Sequence, residues 1–220
     1  MRKFKRIASV VLSASMIFTS CIPYNFMGMT SYAADAEKSV VNLADSSNEL
    51  SKANDYGLAD NIQDGVILHC FNWKYKDIEA ELEHIAEAGF TSVQTSPAQK
   101  DSSFGVWYMM YQPESFSIQT NALGTKEELK SLCTKAEEYG INVIVDVVAN
   151  HMRNIGDDGL GSDCFHNDGE KNNYANRYEI THRRIGMPDL NSESEKVQKK
   201  VKSYIEELKS VGVDGIRWDA

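Results

Sequence analysis

Four short stretches of the 220-residue sequence gather side chains that could do chemistry. The first is Asp146-Val-Val-Ala-Asn150-His151, an apolar run ending in polar residues. The amide oxygen of Asn150 is a hard ligand suited to calcium. His151 can donate a hydrogen bond to a sugar hydroxyl. Each reads equally as a polar loop residue when taken singly; three within six positions single the stretch out. The second is Asp-Gly-Ile-Arg217-Trp-Asp219. Alternation along a strand puts Arg217 and Asp219 on one side. An arginine beside a carboxylate favours its charged form, and a charged carboxylate is what a glycosidic nucleophile requires. A structural ion pair is the alternative for this pair. The third is Trp107-Tyr108-Met-Met-Tyr111-Gln112, whose rings could stack on sugar faces while Gln112 bonds hydroxyls. Such rings serve as often to anchor a loop. The fourth is Met-Pro-Asp189-Leu-Asn191, where Asp189 could meet the ion held by Asn150 or could simply cap a turn.

These residues need a frame, and the hydrophobic pattern supplies one. Val66 to Phe71 and Ser92 to Thr95 read as strands, Ile141 to Ala149 as a third, and Val213 to Asp219 as a fourth. Between them Ile78, Leu82, Ile85 and Ala86 mark one helical face, closed by Gly89. Leu129, Leu132, Cys133 and Ala136 mark a second, opened by a Thr125–Glu128 capping box and closed by Gly140. Val197, Val201, Ile205 and Leu208 mark a third, with Ser192 and Glu195 read as its capping box. Strands alternating with helices predict a parallel sheet with right-handed crossovers. Long polar segments, 97–124 and 150–190, leave the carboxyl ends of strands two and three. In an α/β barrel that end carries the active site.

The net charge of -9 argues against nucleic acid as a partner, since a phosphate-binding face needs excess Lys and Arg. Residues 1–34 read as a secretory signal: a basic start to Arg6, an apolar run from Ile7 to Phe18, and small residues at Ser31 and Ala33. The run is too short to span a bilayer, so no stable membrane span is expected. Lipid attachment at Cys21 is the alternative. Residues 35–62 read as a flexible polar leader. Cys70, Cys133 and Cys164 offer no disulfide or metal pattern, and the first two read as small buried apolar residues.

Taken as a set, in order and spacing, these motifs resemble those of the α-amylase family of glycoside hydrolases over residues 65–220. Ile-Leu-His-Cys-Phe-Asn-Trp73 and Gln-Thr-Ser-Pro97 add to the likeness. The resemblance implies a (β/α)8 TIM barrel of which the first four βα units are present: strands one to three in 63–149, a small inserted domain B at 150–190, and helix three and strand four in 191–220. It implies Asp219 as nucleophile and Arg217 as its orienting partner. Trp107, Tyr108, Tyr111, Gln112 and His151 would bind an α-glucan substrate. Asn150 and Asp189 would bind a structural Ca2+, and Asp146 would shape the site. The family's general acid Glu, a further Asp and a calcium-binding His follow the nucleophile and would lie past Ala220. Ile216 and Trp218 stand where Phe is usual. The implied activity is endo-hydrolysis of α-1,4 bonds by a secreted monomer. A 220-residue piece is expected to be inactive alone and prone to aggregate through open sheet edges. A glucanotransferase or branching enzyme, a glucan-binding remnant, and another secreted barrel enzyme are the alternatives.

Overall fold

The computed structural model describes residues 56–59, 61–101, 106–171, 173–184 and 186–219. The expected signal, Cys21 and most of the expected leader lie outside the described residues. Tyr56 and Leu58, at the leader's end, nevertheless pack against the core, and the Tyr56 ring lies 5.8 Å from that of Tyr139.

Four strands form one parallel sheet: β1 (Ile67–Cys70), β2 (Ser92–Thr95), β5 (Asn142–Val148) and β6 (Gly215–Asp219). They are ordered in space as in sequence. Helices α1 (Tyr75–Glu87), α2 (Lys126–Glu138) and α4 (Glu195–Ser210) make the crossovers. Val143, Val145 and Val147 alternate along β5 and are fully buried in a core shared with Ile78, Leu82, Leu129, Leu132 and Leu208. The intervening Asp146 therefore points to the opposite face of the sheet.

The Thr125–Glu128 box forms as expected. The Glu128 amide donates to Thr125 Oγ1 (3.2 Å), and the Thr125 amide donates to Glu128 Oε2 (3.0 Å). Gly140, at φ +71°, then lets the chain leave α2 by a conformation that costs a glycine little. Thr125→Ala is expected to lower stability by about 1 kcal/mol, seen as a lower urea midpoint at unchanged slope.

The expected box at Ser192 does not form. Helix α4 begins at Glu195, with Ser194 as N-cap and no side-chain cap bond. Asn191 builds a turn first: its Oδ1 accepts from the Glu193 amide and its carbonyl from the Ser194 amide, both at 3.0 Å. That turn moves the helix start past Ser192. Along α4, Tyr204 is fully buried, whereas Val201 and Ile205 are only partly so.

The segment after β2 carries a small antiparallel pair, β3 (Gln99–Lys100) and β4 (Ser115–Ile118). It docks through a side chain. Gln99 donates from Nε2 to the Val148 carbonyl (3.0 Å) and accepts at Oε1 from the Val148 amide (2.9 Å), as a strand backbone would. The segment after β5 folds around Met152, Leu160, Cys164 and Phe165, and it includes a short helix, α3 (Arg177–His182). Arg153 pairs with Glu114 (2.9 Å) and Asp158 with Lys200 (2.9 Å), tying the segment to the β4 region and to α4.

Strands β1 and β6 are the sheet's outer strands. Ile67 on one and Trp218 on the other are exposed. Cys70, Cys133 and Cys164 are free and buried. Burial pushes the Cys70 thiol up to about 11, which leaves it inert. No helix of the described residues is long and apolar enough to cross a membrane.

Candidate active site

The carboxyl ends of the parallel strands bring most of the candidate residues together. In the β5–β6 register Asp146 lies beside Arg217, and Val148 beside Asp219. One nitrogen, Arg217 Nη1, donates to both Asp146 Oδ2 (3.0 Å) and Asp219 Oδ1 (2.9 Å). Partial burial opposes the charge on Arg217, but the two carboxylates outweigh it and raise its pKa above the ordinary arginine value. The guanidinium is thus fixed between them and points Asp219 in one direction.

Asp146 is the hub. It is 0% exposed. Its Oδ1 accepts from Gln94 Nε2 (2.8 Å), and its Oδ2 accepts from the Tyr111 hydroxyl (2.9 Å) as well as from Arg217. A buried carboxylate needs such donors, and hydrogen bonds to a charged group are the strong ones. Burial raises the Tyr111 phenol above its usual value. It therefore keeps its proton and serves as a donor.

Tyr111 is held at both ends. Its carbonyl accepts from His151 Nε2 at 2.9 Å. That bond changes the expectation for His151: one ring nitrogen anchors the aromatic turn, and Nδ1 is left as the nitrogen for a substrate hydroxyl. Trp107 to Tyr111 form a single short helical turn, with Gln112 half-buried just beyond it. Trp107 and Tyr108 are about half exposed, at 52% and 50%, and so have ring surface to offer.

Two residues join the site that the sequence reading missed. Gln94 sits on the inward face of β2 and holds Asp146. Phe71, past the end of β1, stacks on Tyr111 (centroids 6.3 Å apart) and meets Trp107 edge-on (5.5 Å). Period-two alternation from His69 would have placed Phe71 on the inward face. It reads instead as the last residue of a core strand.

The backbone segments that carry Asn150 and Asp189 also run side by side. The Leu190 amide donates to the Asn150 carbonyl (2.8 Å), and His151 and Asp189 form an antiparallel bridge. Asp189 is 3% exposed, and its Oδ2 lies 2.7 Å from His166 Nδ1. Burial raises the Asp189 pKa above the usual carboxylate value, and the bond and charge of His166 offset only part of that rise. Among the described residues no three His, Cys, Asp or Glu groups converge as a metal cluster. An ion here would draw on amide and carbonyl oxygens beside the one carboxylate, which is calcium chemistry rather than zinc chemistry.

Comparison with known proteins places this geometry. Residues 72–157 match the family described as alpha amylase, catalytic domain. The chain is 40% identical over 177 residues to an alpha-amylase of Clostridium acetobutylicum, a match covering 74% of this chain and 23% of that protein. It is 32% identical over 175 residues to an alpha-amylase of Aeromonas hydrophila, covering 71% of this chain and 40% of that one. The chain thus spans less than half the length of these relatives. Among solved structures, alpha-amylase I from Eisenia fetida aligns with a TM-score of 0.65 at 28% identity, over 70% of this chain and 37% of that one. An alpha-amylase from Geobacillus thermoleovorans, complexed with acarbose, aligns at 0.61 and 25%, over 71% and 40%. These neighbours are TIM-barrel amylases, and the four-stranded parallel sheet with its crossover helices is part of such a barrel.

Proposed function

The chain belongs to the α-amylase family, and from that premise we propose that the protein built on it cleaves internal α-1,4-glucosidic bonds of starch-type glucans with retention of configuration. One observation carries the reading: a single arginine nitrogen links the hub Asp146 to Asp219 at the carboxyl end of the sheet, beside a tyrosine ring held at both ends.

Retaining hydrolysis uses two carboxyl groups about 5 Å apart. Asp219 is the nucleophile. It attacks the anomeric carbon as the leaving oxygen takes a proton from an acid supplied by the remainder of the barrel. Arg217 holds Asp219 in line, so little orientation is left to be lost at the moment of attack. Tyr111 stacks on the reacting sugar, and His151 and Gln112 bond its hydroxyls. Trp107 and Tyr108 hold the neighbouring units.

Asn150 and Asp189 would hold a calcium ion. A buried carboxylate whose burial penalty is only partly offset by a histidine suits a cation. When bound, the ion supplies a cross-link between strand end and inserted segment. Residues 1–33 direct the protein out of the cell, where it acts as a monomer on soluble glucan.

A protein carrying this chain within a complete barrel, given amylose, should release oligosaccharides whose new reducing ends are α-configured when observed by NMR before mutarotation. β-configured ends, or no cleavage at all, would overturn the proposal.

A further inference from the structure

We propose that His166 is the positioning residue for the calcium carboxylate Asp189, a role that rests on the calcium reading above. His166 is bound to Asp189 twice. Its backbone amide donates to the Asp189 carbonyl (2.9 Å), and its Nδ1 meets Asp189 Oδ2 (2.7 Å). The neighbouring Phe165–Leu190 bridge fixes the register of the two chains. The histidine side chain is itself 14% exposed, so the pair sits largely away from water.

The ring is also supported from behind. His182 packs on it with centroids 4.9 Å apart, and Tyr178 stacks on His182 at 4.3 Å. The Tyr178 hydroxyl donates to Asp168 Oδ2, and His182 Nδ1 lies 2.7 Å from Thr181 Oγ1. Helix α3 thus supplies a stack of rings whose last member fixes the plane of the His166 imidazole. A fixed imidazole claims one carboxylate oxygen and leaves Oδ1 for another partner. Outer partners of this kind orient a metal ligand before the ion arrives, and losing one weakens metal binding by about 10–100-fold.

The test measures calcium affinity by titration calorimetry, and melting midpoints in chelator and in excess calcium, for the wild-type protein and four variants. Asp189→Asn tests the calcium reading itself. His166→Ala should weaken calcium binding about 10–100-fold and shrink the calcium-dependent rise in midpoint. His166→Asn puts an amide nitrogen near the position of Nδ1 and should recover affinity to within a few-fold. His166→Gln puts it one bond too far and should behave like alanine. Should the alanine variant not fold, the contrast between Asn and Gln carries the test. Equal affinity in wild type and all His166 variants, with Asp189→Asn impaired, would overturn the positioning role alone. No calcium binding by the wild type, or none lost in Asp189→Asn, would overturn the calcium reading and this proposal with it.

Discussion

Replacing Asp219 by asparagine should cut glucan cleavage by an enzyme built on this chain by about 10⁴–10⁶-fold, the scale seen when a covalent nucleophile is removed. The amide oxygen can still accept from Arg217, so the site keeps its shape and KM should move little. That split between kcat and KM separates lost chemistry from lost binding. Steady-state kinetics on a maltooligosaccharide decides it. A variant within tenfold of wild type would mean that Asp219 is a structural partner of Arg217 and no nucleophile.

The second large effect belongs to Asp146→Asn. The carboxylate takes three donors in a fully buried position. An asparagine can keep its oxygen toward only one side. If that side is Gln94, the amide nitrogen faces Arg217, which has no acceptor to offer. The expected cost is about 2–4 kcal/mol, a buried polar group left unpaired beside a charge. That cost should be read as a lower melting point of the enzyme. Because Arg217 is then free to turn, kcat should fall even though Asp219 is intact. Unchanged melting and unchanged kcat together would remove Asp146 from the centre of the network.

The sheet was largely legible in the sequence because its longest strand, β5, is buried on both faces and so reads as an apolar run. Ser92 to Thr95 forms a strand over just the span expected, and every apolar residue assigned to the faces of α1 and α2 is buried. The site was legible where its chemistry is local. Arg217 and Asp219 are two residues apart and do share a face. What the sequence hid is long-range pairing by neutral side chains. Gln94 reaches Asp146 across 52 positions, and Gln99 reaches Val148 across 49. A glutamine gives no periodic signal, so nothing marks either as buried. His151 was given one role in the sequence, because its bond to Tyr111 depends on how the loop at 107–111 folds back. Ser192 failed for a local reason: the composition of a capping box was present, and Asn191 took the turn first.

Gln99 also bears on how far this chain can be altered. Its amide completes the pairing of Val148, so the start of one loop is keyed to the end of a distant strand. Residues further along the same segment are bound in their own right: the Glu114 amide donates to the Lys100 carbonyl (2.8 Å) and the Tyr111 hydroxyl to Asp146 (2.9 Å). An insertion of one residue between Thr95 and Gln99 would slide the glutamine off Val148 and leave two buried backbone groups without partners. Variation in loop length among relatives should accordingly spare positions 95–99, a spacing set by one side chain acting as a piece of strand.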